Sequence, residues 1–320
     1  MEALDNSPKA EVTGFEPALR QFEEYLLLDR AYSPNTRQAY VRDVERFISH
    51  LSDENLQRTP LTVVQQDIET FMGRLGELGL EPTTQARMLS AVKGFFSFLV
   101  YDSQRTTDPT ELVKTPRLPK YLPTVLTFDE VERMLSACDM TRPDGVRNRA
   151  MLEMLYGSGL RVSELVGLKN EHLFLELGYV RVIGKGNKER LVPASADAAR
   201  YLQLYRDSVR SHQQPAPGSE HFVFLSKRNK PLSRVMMFMI VRDLAKLAGI
   251  QRTVSPHTLR HSFATHLVEG GADLRSVQEM LGHENIVTTE IYTHLNIGQL
   301  RDTLERFHPM GSSFGGGYDL

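Results

Sequence analysis

The chain has one cysteine, Cys138, in 320 residues. A single thiol cannot close an intramolecular disulfide, nor can it supply the clustered cysteines of a structural zinc site. This points to a reducing compartment, most simply a cytoplasm. Long apolar runs are missing as well: no segment reaches the roughly 18 residues at which a helix becomes a membrane-spanning candidate. The opening stretch MEALDNSPKAEV has no basic start followed by an apolar segment, so a secretory signal is not expected. There is no internal repeat and no long low-complexity segment.

A dominant charge is also lacking. Lys and Arg number 38 against 40 Asp and Glu, a net charge of −2, with a pI near 6.6. Spread evenly, that balance would argue against a polyanionic partner. It is not spread evenly. Residues 1–120 hold 14 basic and 18 acidic side chains, whereas residues 180–260 hold 15 basic and 5 acidic. A basic stretch within a neutral chain fits a polyanion-binding face on a soluble molecule. Charge alone describes a solvated surface with scattered lysines equally well.

With 41% hydrophobic and 24% charged residues, the composition is that of a globular protein. The length predicts about two domains at ~150 residues each. Four amphipathic stripes fill the first hundred positions: Phe15, Leu19, Phe22, Leu26; then Tyr40, Val44, Phe47, Leu51; then Val64, Ile68, Phe71, Leu75; then Met88, Val92, Phe95, Leu99. Ser33-Pro34 is a cap and first-turn proline for the second, and the fourth is expected to start at Thr83-Thr84. Such stripes bury one another as a bundle. The pattern breaks where prolines fall at 109, 116, 119 and 123, which predicts a connection rather than a helix. The expected organisation is a helical domain over 1–108, a linker over 109–122, a second domain over 123–309 and a flexible glycine-rich tail over 310–320. The second domain should be mainly helical with one hairpin, Tyr179–Ile183 and Arg190–Pro193, around GKGNKE. The fold class is thus mainly α with a small β-sheet.

Several segments could carry chemistry. In SPHTLRHSFATHL, Ser255 caps a helix and Pro256 takes its first position. At about 100° per residue, His257, Arg260, His261 and Ala264 share one face and Leu259, Phe263, His266 and Leu267 another. His257 and Arg260 can then point together into a cleft. The i, i+4 histidines 257 and 261 suggest a zinc site only weakly: Thr258 stands where HExxH needs glutamate, and Arg260 would repel a cation. Downstream, Asp273 can cap a short helix with apolar Leu274, Val277, Met280 and Leu281, ended by Gly282. His283 follows directly, and Tyr292 lies in TTEIYTHL. Alone, Tyr292 reads as a partly buried aromatic. Upstream, YGSGLRVSELVGL sets Arg161 at a helix start with Glu164 able to hold its guanidinium, unless the two form only a surface ion pair. GKGNKER lacks the spacing of a phosphate loop and is better read as a hairpin tip displaying Lys185. A last stripe, Ile297, Leu300, Leu304 and Phe307, can pack on its own domain or on a neighbour.

Taken in order, RVSEL, GKGNKER, HTLRHSFATHL, LGH and IYTH closely resemble the tyrosine recombinases of the phage integrase family, specifically the XerC/XerD type and its XerD-like half. SPNTRQAYVRDV and LSAVKGFFSFL resemble that family's core-binding segment, so the likeness runs from about residue 15 to 309. It implies a SAM-like four-helix core-binding domain, then a catalytic domain in which Arg161, Lys185, His257, Arg260, His283 and Tyr292 form the active site, supported by Glu164. Tyr292 is then the nucleophile and Lys185 the general acid. His257 accepts a proton, His283 donates a hydrogen bond, and the two arginines clamp the phosphate.

No cofactor, metal ion or ATP is implied. The implied partners are a double-stranded DNA recombination site gripped by a C-shaped clamp, three further protomers of this chain or a sister recombinase, and a DNA translocase that activates them. The implied role is bacterial chromosome dimer resolution. An integrase of a mobile element, a type IB topoisomerase and a binding protein without catalysis are the rival readings. Histidine at 257 and the helical first domain favour the recombinase, and the complete set of six residues argues against mere binding. The glycine-rich extension after His308-Pro309 is longer than the family leads one to expect.

Overall fold

The four stripes of the first hundred positions become four helices in a computed structural model of the chain, which describes residues 14–118, 124–184, 189–282 and 294–310. They are α1 (Phe15–Leu28), α2 (Pro34–Asp53), α3 (Gln65–Glu77) and α4 (Pro82–Tyr101). Ser33 caps α2, its hydroxyl accepting from the Thr36 amide at 3.3 Å, with Pro34 in the first turn. Asp67 turns back to accept from the Val64 amide at 2.9 Å and so fixes the start of α3. Val64 itself is that helix's N-cap and 46% exposed, so the buried stripe of α3 begins at Ile68 rather than at Val64.

Helix α4 is packed by α1, α2 and α3, which explains why it is apolar on more than one face. Met88, Leu89, Ala91, Val92, Phe95, Phe96, Phe98 and Leu99 are all buried. Phe22 meets Phe95 edge-on at 5.4 Å between ring centres, and Phe47 meets Phe96 at 6.1 Å, the arrangement favoured by the ring quadrupole.

The chain divides between residues 121 and 122 into two units, each with its own core. The second contains α5 (Phe128–Ser136), α6 (Pro143–Gly157), α7 (Val162–Val166), β1 (Leu173–Phe174), β2 (Tyr179–Ile183), β3 (Glu189–Pro193), α8 (Ala196–Ser208), α9 (Arg234–Leu247), α10 (Pro256–Glu269), α11 (Leu274–Leu281) and α12 (His294–Phe307). Helix α6 is the axis of this unit, and its run from Ala150 to Gly157 is buried throughout. Glu153 lies within that run, and Arg149 one turn earlier pairs with its Oε1 at 2.7 Å while lying over the Tyr201 ring.

The sheet has order β1-β2-β3 and is antiparallel, with Val180 opposite Val192 and Val182 opposite Arg190. The hairpin lies where the β-rich runs place it. The two-residue strand β1 has no sequence signal of its own and exists through its pairing with β2. Alternation sets Val180, Val182 and Val192 inward. Arg190, on the same side of β3 as Val192, goes inward with them.

Helix α11 is capped by Asp273, which accepts from the Ser276 amide at 3.0 Å. Leu274 is 59% exposed, so the apolar face of α11 is Val277, Met280 and Leu281 without it. In α12, Ile297 is buried, and Leu300 and Leu304 join the core of this chain's own second unit. Lys185, expected at the hairpin tip, lies outside the described residues, as do His283, Tyr292, part of the expected linker and the tail after residue 310. No helix among the described residues is long and apolar enough to cross a membrane.

Cys138 sits in the second core, where burial pushes its thiol up to about 11. At pH 8 only about one thiol in a thousand would be thiolate, against roughly one in four for a free cysteine. Alkylation of the native chain at pH 8 should therefore be at least about 100-fold slower than in denaturant, as mass spectrometry of quenched samples would show. Equal rates would mean that Cys138 is not enclosed.

Candidate active site

The turn joining α6 to α7 is made by Gly157-Ser158-Gly159-Leu160. Gly159 has φ +59°, and a Cβ there would lie 2.5 Å from the Phe263 ring. Glycine is thus required twice over, by conformation and by space. The result is that the Gly159 carbonyl faces α10 and accepts from Arg260 Nη1 at 2.6 Å.

Arg161 is the N-cap of α7. Its amide donates to Glu164 Oε2 at 2.8 Å, the half of a capping box in which the third helical residue reaches back. Its guanidinium donates through Nη1 to Glu164 Oε1 at 3.0 Å and through Nη2 to the Gly282 carbonyl at 2.7 Å. Glu164 is buried, so this is not the surface ion pair that spacing alone allowed.

Arg190 was missed in the sequence. From β3 it donates to both oxygens of Glu164, Nη1 to Oε1 at 2.5 Å and Nη2 to Oε2 at 3.0 Å, and through Nε to the Met280 carbonyl at 3.4 Å. It is 7% exposed. A signal was available: in a strand of period two, position 190 falls on the inward side with Val192, and a charged residue there demands a buried partner.

Arg260 is buried on α10 and bonds the Leu281 carbonyl at 2.6 Å as well as Gly159. The α10 helix begins as its sequence dictates, with Ser255 accepting from the Thr258 amide at 3.3 Å and Pro256 in the first turn. His257, in that turn, is exposed, and His261 half-buried. His266 faces the other way, its Nδ1 2.7 Å from the Tyr156 hydroxyl inside the core. His257 and Arg260 therefore share a helix face but not an environment. Among the described residues, no group of three His, Cys, Asp or Glu side chains could hold a metal ion.

The three guanidiniums converge on the end of α11. Met280, Leu281 and Gly282 offer successive carbonyls, and Arg190, Arg260 and Arg161 take one each. These are the groups a helix leaves unsatisfied at its C-terminus, and the negative end of its dipole favours cations there. Gly282 has φ +64°. Burial pushes the Glu164 carboxyl up, but Arg190 and then Arg161 outweigh it and hold it below the usual carboxylate range. Burial first, and Arg161 second, lower Arg260 to about 9, which leaves it cationic at neutral pH. With three arginines and one carboxylate, the cluster carries a net positive charge and is suited to hold an anion.

Residues 124–298 match the phage integrase family and residues 19–102 its N-terminal SAM-like domain. The tyrosine recombinase XerD of Chlorobaculum tepidum is 44% identical over 296 residues, covering 92% of this chain and 96% of its own. XerD of Listeria innocua is 42% identical over 288 residues, covering 90% and 97%. Among solved structures, the XerH site-specific recombinase bound to a palindromic difH substrate after cleavage is similar with a TM-score of 0.62 at 25% identity, over 89% of this chain and 83% of that one. The Tn1549 transposon integrase with transposon right-end DNA shares the fold, with a TM-score of 0.67 at 21% identity over 88% and 97%. The chain belongs to the phage integrase family and is an enzyme of it, a site-specific DNA recombinase of the tyrosine type.

Gly282 has two constraints that Gly298 lacks. A Cβ at 282 would lie 2.8 Å from Arg190 Nε, whereas one at 298, inside α12, would meet nothing within 4 Å. Gly282→Ala should destabilise the second unit by at least about 1–2 kcal/mol from its backbone conformation alone. Gly298→Ala should stabilise by about 0.4–1 kcal/mol. Urea denaturation of both variants checks the contrast, and equal effects would contradict it.

Proposed function

We propose that Arg161 and Arg260 clamp the scissile phosphate while Tyr292 attacks it. The observation that carries this reading is their convergence: both guanidiniums bond the last two carbonyls before His283, Leu281 for Arg260 and Gly282 for Arg161. A phosphodiester gains negative charge on its non-bridging oxygens as it is attacked. Guanidiniums preset at that point stabilise the transition state without reorganising.

In the proposed step, Tyr292 Oη bonds to phosphorus and the bond to the 5′ oxygen breaks. His257 takes the phenolic proton, since a phenol of pKa near 10 needs a base, and the exposure of His257 leaves it open to substrate. Lys185 protonates the departing 5′ oxygen, and His283 donates a hydrogen bond to the phosphate. The product is a 3′-phosphotyrosine with a free 5′-hydroxyl. A 5′-hydroxyl from the partner strand then attacks the same phosphorus and releases Tyr292. One phosphoester replaces another, so the exchange balances without ATP.

The DNA would be a duplex recombination site held against the basic stretch of 180–260, mostly through its phosphates. Four protomers on two sites, of this chain alone or with a sister recombinase, would complete the exchange. The biological role we infer is chromosome dimer resolution in a bacterial cytoplasm, with a DNA translocase as activator; the XerD relatives support it.

A duplex nicked near the crossover traps the cleaved state, because the short released strand diffuses away. With EDTA present, wild type should give a DNA-linked band on a denaturing gel, and Tyr292→Phe should bind DNA equally yet give none. Arg161→Ala or Arg260→Ala should slow band formation by about 10²–10³-fold. A band with Tyr292→Phe would remove Tyr292 as nucleophile.

A further inference from the structure

We propose that Arg190 is a positioning residue for strand cleavage: it neutralises the Glu164 carboxylate so that Arg161 meets the phosphate with its charge uncompensated. This rests on the reading of Arg161 as a phosphate clamp.

The geometry of sharing supports it. Glu164 is an acidic group set directly beside an arginine assigned to hold an anion, which by itself would be counterproductive. Arg190 removes the conflict. It engages both carboxylate oxygens as a fork, at 2.5 and 3.0 Å, the geometry in which arginine binds carboxylate most strongly. Arg161 gives the carboxylate one terminal nitrogen and gives the other to the Gly282 carbonyl. Exposure divides the same way. The Arg190 side chain is 7% exposed and Glu164 2%, whereas Arg161 is 35% exposed. Arg190 and Glu164 thus form an enclosed neutral pair, and Arg161 is the cation that faces outward.

Two further features hold Arg190 in that role. Its Nε reaches the Met280 carbonyl, and at Gly282 the backbone comes so near that an added Cβ would lie 2.8 to 3.0 Å from three atoms of its side chain. Remove Arg190, and a buried carboxylate is left with Arg161 as its direct ion-pair partner. The favoured response is for Arg161 to turn its fork onto Glu164, away from Gly282 and from any phosphate. Remove the carboxylate as well, and that pull is gone.

This distinguishes positioning from mere support of the fold, because a structural strut is not replaced by a second deletion. The experiment measures single-turnover formation of the trapped adduct at saturating full-length protein, alongside site affinity by gel shift and thermal melting. Arg190→Met should form adduct about 10²-fold more slowly, with DNA affinity within about threefold of wild type, since the phosphate contacts that dominate binding lie elsewhere. Arg190→Met combined with Glu164→Gln should recover at least about tenfold of that loss. A single variant as fast as wild type, or a double variant no faster than the single, overturns the proposal.

Should Arg190→Met fail to fold, the comparison moves to the Glu164→Gln background. There, adding Arg190→Met should change cleavage by less than about fivefold, and a further loss of tenfold or more overturns the proposal. Wild-type protein that forms no adduct on any site overturns the clamp reading itself, whereas a normal wild-type adduct with the wrong variant pattern overturns only the role of Arg190.

Discussion

The second unit depends on how the last carbonyls of α11 are satisfied. A helix end buried without partners would cost more than its packing returns, and here the partners are three arginines from three separate elements. Arg161 comes from the start of α7, Arg190 from β3 and Arg260 from α10. Each bond ties its own element to the same short stretch of backbone, residues 280–282. The hairpin, the α6–α7 turn and the α10 helix are therefore registered against one another at the arginine cluster.

The same arrangement resolves an electrostatic difficulty. Three guanidiniums close together repel one another, and burial penalises each. Arg260 shows both effects, lowered to about 9 by burial first and by Arg161 next. Glu164 relieves the repulsion at the cost of one unit of positive charge, and the α11 carbonyls relieve it at no cost in charge. The cluster keeps a net positive charge inside a chain whose overall charge is −2. Average charge says little about a site this small.

Much of this was legible in the sequence because capping and periodicity are local. Ser33, Ser255 and Asp273 cap the helices their positions announce, and Met88, Val92, Phe95 and Leu99 are buried as their spacing requires. What failed was also local in origin. Val64 and Leu274 fit the apolar stripes but sit at or beside helix starts, where a residue has left the buried face. Within the site, Arg161, Glu164 and Arg260 could be named from their motifs, yet the bonds of the two arginines to Gly159, Leu281 and Gly282 join positions 101, 21 and 121 residues apart. No local pattern encodes such a contact. Arg190 escaped because its motif was read as a turn displaying a lysine, so attention fell on the tip and not on the strand after it.

That omission shows how a site and its fold divide one resource. In GKGNKER, the sequence reading expects Lys185 to be displayed by a turn, whereas Arg190, five positions later, lies in a paired strand. Reacting groups gain from mobility when they must deliver a proton. Groups that set a field gain from rigidity, because a preset dipole or charge stabilises the transition state only if it does not have to reorganise. Arg190 is fixed by β2 pairing, by Glu164 and by Met280, and Arg161 by its own amide bond to the same carboxylate. The rigid members of the cluster belong to the fold as much as to the chemistry.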